Sequence, residues 1–313
     1  MKAMTGMLDA PPAPESSTPL CGSARMKLVG AAAGTAPDTE QHVSAINGIR
    51  VGIGGWTYAP WRNNFYPEGL VQRRELEYAS RRLSTIEVNG TFYGAQKPST
   101  YARWASETPE DFVFSLKAPQ HVTQRGPLAK ATRAAHGFLT GGLAELGERL
   151  GPVLWQFPPS RPFEPDDLAP FLEALPRQVD GLPLRHVLEV RHDSFVCPEF
   201  VELARRYGIA AAYADSSEHP QIGDITTDFV YARLMSSRAE LSHGYRPAQL
   251  DQWSQRAREW ARGGDPADLP HVMARREHEA PRDVFIYFIS SAKQRNPAAA
   301  TALLTRLAAS QAA

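Results

Sequence analysis

Glu87, Lys117, Glu189 and Asp215 are the side chains in this sequence whose type and position suit them to move a proton or attack carbon. Arg191 and Arg233 are the ones suited to hold an anion. Each sits at or near the end of a short apolar run: TIEVN, VFSLK, VLEVR, AAYAD, VYARL. A carboxylate at such a place can act as general acid or base. A lysine can polarise a carbonyl or form a Schiff base, and a guanidinium can clamp a carboxylate or phosphate through two parallel hydrogen bonds.

Strand alternation gives these residues a common direction. One face of the second apolar run carries Glu87 and Asn89, and the third run carries Ser115 and Lys117. Gln156 follows on the fourth, Glu189 and Arg191 on the fifth, Tyr213 and Asp215 on the sixth, Tyr231 and Arg233 on the seventh, and Tyr287 on the eighth. Burying such charges without partners costs several kcal/mol. They must therefore pair with one another or face a pocket that takes a polar ligand, and the two solutions are compatible. The pocket is the favoured reading, because barrel interiors are otherwise filled with branched apolar residues. Lys117 serves equally well as a reactive amine or as the partner of Glu87 or Glu189. Glu87, Glu189 and Asp215 with His192 offer oxygen and nitrogen donors, but the interleaved cations oppose a divalent ion, and no metal ligand set is assigned. His192 can equally cap local backbone.

The elements that must position these side chains follow from the pattern along the chain. RVGIGG reads as a first strand, STIEVNG as the second and Phe112 to Pro119 as the third; PVLWQF, HVLEVR, IAAAYAD, FVYARLM and VFIYFIS complete eight. Helices are predicted from Arg73 to Arg82, after Ser99 as N-cap, and from Asp166 to Leu175. Others are predicted from Pro198 to Tyr207, Pro247 to Arg262 and Pro297 to Leu307. A long helical region from Leu128 to Leu150 is interrupted near Gly141 and Gly142, and residues 215–229 lack a full helix. Eight strands alternating with helix-length connections over about 260 residues predict a single α/β domain of the (β/α)8 TIM-barrel type, residues 49–313. Residues 1–48, rich in Ala, Pro and Ser, read as a disordered extension. Trp56 and Tyr58, in the loop after the first strand, can wall a pocket or pack beneath the loop.

Composition narrows the classes. Lys+Arg and Asp+Glu are equal at 34 each, so no overall field favours broad nucleic-acid binding. No apolar run approaches the ~20 residues of a membrane span. The two cysteines, Cys21 and Cys197, make no disulfide framework, which points to a soluble cytoplasmic protein. GIGGWTY lacks the G-x-G-x-x-G spacing of a dinucleotide site, there is no P-loop and no G-x-S-x-G elbow, so no cofactor is assigned.

In this order GIGGWTYAPWRNNFYP, STIEVNGTFYG, RWASETPEDFVFSLKAP, LGPVLWQFPPS, LEVRHDSF and VYARLM closely resemble the YecE-like family, domain of unknown function 72. The resemblance implies a TIM-barrel-like fold and supplies no reaction. It places Glu87, Asn89, Thr91, Phe92, Tyr93, Lys117, Gln156 and Pro158 on matching positions, and with them Glu189, Arg191, His192, Ser194, Asp215 and Arg233. It also implies a histidine where this chain has Met235, and asparagines where it has Ile289, Ser290 and Ser291.

The leading functional expectation is a small-molecule enzyme acting on a polar, anionic or carbohydrate-like ligand at the C-terminal mouth of the barrel. Acid–base work falls to Glu87, Glu189 or Asp215, and charge stabilisation to Lys117, Arg191 and Arg233. Asn89, Thr91, Tyr93, Gln156, His192, Trp56 and Tyr58 are the further candidates for ligand contact. The alternatives are a metal-assisted hydrolase or isomerase, and a non-catalytic module that binds a metabolite or a nucleic-acid end.

Overall fold

The computed structural model describes residues 42–276 and 280–309. Most of the expected N-terminal extension lies outside the described residues. Residues 42–48 are described: the Val43 amide donates to Arg81 O, and Ile46 pairs with Ile49 across a turn in which Asn47 and Gly48 have positive φ.

The barrel strands are β1 (Ile49–Gly54), β2 (Thr85–Val88), β3 (Val113–Lys117), β4 (Leu150–Gln156), β5 (His186–Glu189), β6 (Ala210–Ala211), β7 (Tyr213–Asp215), β8 (Phe229–Leu234) and β9 (Asp283–Phe288). They hydrogen-bond in the order β6-β5-β4-β3-β2-β1-β9-β8-β7, and the ladders are parallel. β6 and β7 are two halves of the expected sixth strand, divided at Ala212, whose amide donates to Leu188 O. One half pairs with β5 and the other with β8, so the sheet curls into a nearly closed barrel with helices outside it. The (β/α)8 architecture expected from the pattern is therefore present.

Around it lie α1 (Glu75–Arg82), α2 (Pro98–Glu107), α3 (Thr132–Leu139), α4 (Pro165–Ala174), α5 (Pro198–Tyr207), α6 (Pro247–Ala261) and α7 (Asn296–Ala309). α2 starts two residues earlier than expected: Pro98 takes the first helical position, where its missing N–H costs nothing, and Lys97 is the cap residue in place of Ser99. The region expected to be helical from Leu128 to Leu150 is broken where Gly142 takes φ 112°, leaving α3 and a 3-10 segment, Leu143–Arg149. After β2, Gly90–Tyr93 forms a one-turn helix.

Two apolar layers follow from the alternation of each strand. Ile86, Phe114, Trp155, Leu188, Leu234 and Ile286 face the helices. Val113, Leu154, Val187, Phe229, Tyr231, Phe285 and Tyr287 fill the barrel, together with Ala210, Ala212 and Ala214. The small residues of β1 and β7 flank the strands that carry the largest inward side chains, Tyr231 and Arg233 on β8 and Tyr287 on β9. Alternation of large and small is how a narrow barrel fills its taper.

Gly52 shows how little space is left: a Cβ there would stand 1.9 Å from Thr85 O. Because that oxygen is backbone, β1 or β2 must move. Gly52→Ala is expected to destabilise the protein by about 3 kcal/mol, the upper range for overpacking, as a fall in the urea midpoint at unchanged slope.

Candidate functional site

The inner face of the barrel becomes polar toward the C-terminal ends of its strands, and there the sequence places an ionic layer. Glu189 ends β5, and Glu87 and Arg233 each lie one residue before the end of β2 and β8. These three strands are not neighbours in the sheet, so Arg233 must cross the lumen to meet both acids. It does so with nearly complete burial, at 2% exposure. Its Nε donates to Glu87 Oε2 and one terminal nitrogen to Glu87 Oε1, each at 3.0 Å, the bidentate geometry that suits a guanidinium. The other terminal nitrogen donates to Glu189 Oε2. Glu189 also accepts from Arg191 Nε at 2.6 Å and from the Gln156 amide at 3.1 and 3.2 Å, Gln156 being its register partner across the β4–β5 ladder.

A layer of hydroxyls supports these ions from below. Tyr231 donates to Glu87 Oε2 at 2.8 Å and its oxygen lies 2.7 Å from Ser115 Oγ. Tyr287 and Thr85 form the matching pair at 2.8 Å. Burial, and then the charge of Glu87, raise the Tyr231 phenol well above its ordinary range, so it stays protonated and remains a donor. For Glu189 burial alone would raise the carboxyl, but Arg233 and Arg191 outweigh it and hold it at about 2.

Above the ions lies a cavity of about 340 Å³, lined by Gly54, Asn89, Tyr93, Lys117, Gln156, Arg191, Arg233, Ile289, Ser290, Lys293 and Asn296. Lys117 ends β3, and its side chain enters this space at 9% exposure, with Nζ 3.9 Å from the centroid of the Phe92 ring. Among the described residues it has no ion-pair or hydrogen-bond partner. Burial first, then Arg233, lowers its amine to about 8, against the opposing pull of Glu87 and Glu189. Lys293, just before α7, is similar: its Nζ lies 4.6 Å from the Tyr58 ring and 5.5 Å from the Trp61 ring, and burial lowers its amine. Asn296, the first residue of α7, accepts from Ser237 Oγ at 2.9 Å and brings the positive end of that helix to the cavity wall.

The structure thus gathers Glu87, Asn89, Tyr93, Lys117, Gln156, Glu189, Arg191 and Arg233 around one mouth, with the acids below and the cations above. Asp215 is elsewhere. The alternation read for the sixth strand was one residue out of phase: Ala212 and Ala214 face the lumen, Tyr213 packs on Trp253 and Trp260 of α6, and Asp215 lies 3.4 Å from the Tyr245 hydroxyl. Three consecutive alanines carry no signal of which face is inside. Burial raises the Asp215 carboxyl against the pull of Ser236.

Thr91 is also turned away, fully buried, its hydroxyl 2.7 Å from Lys117 O and 3.1 Å from Val88 O. It ties the one-turn helix to the end of β3 and so sets the backbone from which Lys117 projects. Trp56 packs edge-on against Trp104 and Phe114, beneath the loop. His192 accepts from the Ser194 amide at Nδ1 and caps the 3-10 turn Asp193–Phe195. Lys293 and Asn296 escaped the sequence reading because they follow the last strand rather than end one; the αL pair before them, Ser290 and Ser291, was the missed sign of a tight turn into the mouth. A second cleft, of about 230 Å³, includes Arg161, but its guanidinium already meets Asp167, Thr123 O and Gly126 O. Among the described residues no three His, Cys, Asp or Glu come together as a metal ligand set.

Residues 50–313 match the family described as protein of unknown function DUF72. The chain belongs to the DUF72 family. It is similar to the UPF0759 protein YunF of Bacillus subtilis (strain 168), at 29% identity over 182 residues, which is 56% of this chain. The match spans 62% of that relative's length. Among solved structures it is similar to a DUF72 family protein (TM1631) of Thermotoga maritima MSB8, with TM-score 0.63 and 21% identity over 83% of this chain and 99% of that one. It is similar also to a DUF72 family protein (EF0366) of Enterococcus faecalis V583, with TM-score 0.55 and 15% identity over 87% of this chain and 99% of that one. At these identities the likeness speaks for the barrel and not for what its mouth does. Among the described residues of this DUF72 chain, no helix is long and apolar enough to cross a membrane.

Two outcomes follow from the ionic layer. Arg233→Met leaves two carboxylates buried without their shared cation and is expected to cost about 3–5 kcal/mol, measured by chemical denaturation. Glu189 has its folded pKa lowered from 4.5 to about 2, so the stability it contributes is complete above pH about 4.5 and lost as pH falls toward about 2. Thermal midpoints of wild type and Glu189→Gln are expected to converge across that window.

Proposed function

We propose that the mouth of the barrel binds a small anionic ligand and that the protein is an enzyme acting on it. The observation that carries this reading is the imbalance of charge around the cavity. Glu87 and Glu189 are met by Arg233 and Arg191, while the ammonium groups of Lys117 and Lys293 enter the same space without a carboxylate partner among the described residues. Two unpartnered, half-desolvated cations in a concave site favour an anion, whose binding returns the electrostatic energy that burial withheld. Arg191 commits Nε to Glu189, which leaves its terminal nitrogens for a phosphate or carboxylate.

The division of labour differs from the one expected at first. Carboxylates saturated by guanidiniums are poor bases, and Glu189, held at about 2, is ionised throughout the physiological range. In this reading Glu87, Glu189 and Arg233 form a rigid floor. The group that can lose and regain a proton near neutrality is Lys117, at about 8. Tyr93, 78% exposed at the rim, offers a ring to the rest of the ligand.

Calorimetric titration with inorganic phosphate, pyrophosphate and a panel of sugar phosphates, carboxylates and neutral sugars tests the reading. Anions are expected to bind and neutral sugars not, with Arg191→Ala or Lys293→Ala weakening the best anion about tenfold, a loss of about 1.4 kcal/mol. Equal affinity for neutral sugars would sink the proposal. Turnover assays on the ligands that bind then separate an enzyme from a module that only holds its ligand.

A further inference from the structure

We infer that Lys117 is a covalent nucleophile, an amine that captures the carbonyl carbon of an anionic aldehyde or ketone as an imine. The inference rests on the anion-binding reading for the ligand's charge, but not for the amine itself.

The geometry is that of a lysine kept from its ordinary partners. Two glutamates lie in the layer beneath it, yet both are taken by guanidiniums, and Nζ rests instead on the Phe92 ring. The hydroxyl of Thr91 pins the Lys117 carbonyl and so the strand end. Phe92 lies next to Thr91 in the same one-turn helix, so backbone and ring together hold the amine at the wall of the cavity. A lysine that served only to neutralise Glu87 or Glu189 would lie within ion-pair distance of one of them. Burial and the nearby Arg233 lower its proton affinity, which supplies the free base that attack requires.

The chemistry balances without an oxidant or reductant. The lone pair of the neutral amine forms the N–C bond while the carbonyl π pair moves to oxygen, and the nitrogen, now positive, gives up one of its two protons through water as the oxygen takes one, leaving a neutral carbinolamine. The carbinolamine then loses that oxygen as water, drawing a proton from solvent at the open mouth, and the nitrogen keeps one hydrogen in the resulting iminium. The positive nitrogen can accept the electron pair released when a bond at the adjacent carbon breaks, and water returns the free amine. Arg191 and Lys293 stand on the same cavity wall, where they can hold the substrate's phosphate or carboxylate. The implied substrate class is a phosphorylated or carboxylated oxo compound.

Reductive trapping on the full chain tests this, with pyridoxal 5′-phosphate as an anionic aldehyde and butyraldehyde as a neutral one, each reduced with borohydride and mapped by peptide mass spectrometry. Lys117 is expected to be modified on the order of tenfold faster than Lys97 or Lys130. The rate should rise with pH to a midpoint near 8, with inorganic phosphate protecting. Lys117→Met, checked for folding by circular dichroism, should lose that adduct alone. If phosphate binds in calorimetry but Lys117 is labelled no faster than the other lysines, the imine is overturned and the anion site stands. If both aldehydes label Lys117 equally fast and phosphate gives no protection, the nucleophile stands and the anion site falls.

Discussion

One guanidinium shared by two buried carboxylates sets the terms for the rest of this barrel. Arg233 crosses the lumen from β8 to reach Glu87 on β2 and Glu189 on β5. An ion buried this deeply is tolerated only where its hydrogen bonds are fully met. The surrounding residues follow from that need. Gln156, Arg191 and Tyr231 complete the acids, Ser115 meets Tyr231, and Tyr287 with Thr85 carries the polar layer around the lumen. Gly52 on β1 leaves room for the close approach of Thr85, and alanines on β6 and β7 are the small members of the cluster that fills the lumen.

This plug also makes the floor of the mouth rigid and chemically quiet. Ionic groups that are already paired have little left to offer a ligand, and above them stand Lys117 and Lys293, whose ammonium groups rest on aromatic rings and not on the plug's carboxylates. A neutral protein overall thus carries a locally cationic cavity. That is possible because the charges beside the lumen are sorted by depth, a feature invisible to a net count.

The departures from the family pattern fall on one side of the same mouth. Met235 and Ile289, in place of the implied histidine and asparagine, belong to the apolar cluster of the lumen. Ser290 and Ser291 have φ of 59° and 46°, the left-handed region that asparagine tolerates better than serine. The Ser291 hydroxyl donates to Met235 O, a local compensation for that backbone. The turn places Ser290, Lys293 and Asn296 around the cavity, so the loop after the last strand builds as much of the mouth as the strands do.

Much of this was written in the linear chain. Period-two alternation in TIEV, VFSLK and FVYARL determined which residues face inward, and the tally of strands and connections determined the barrel, because both are local consequences of backbone geometry and burial. Where alternation was silent, in the alanines before Tyr213, the reading put Asp215 on the wrong face, and only pairing with both neighbouring strands decided it. Partner choice was likewise a tertiary matter. Glu87, Lys117, Glu189 and Arg233 were legible as a set, but which cation takes the acids depends on reach across the lumen. Arg233 has the length and the forked donors to span it, and Lys117, on its short approach over Phe92, is the one left without an acid among the described residues.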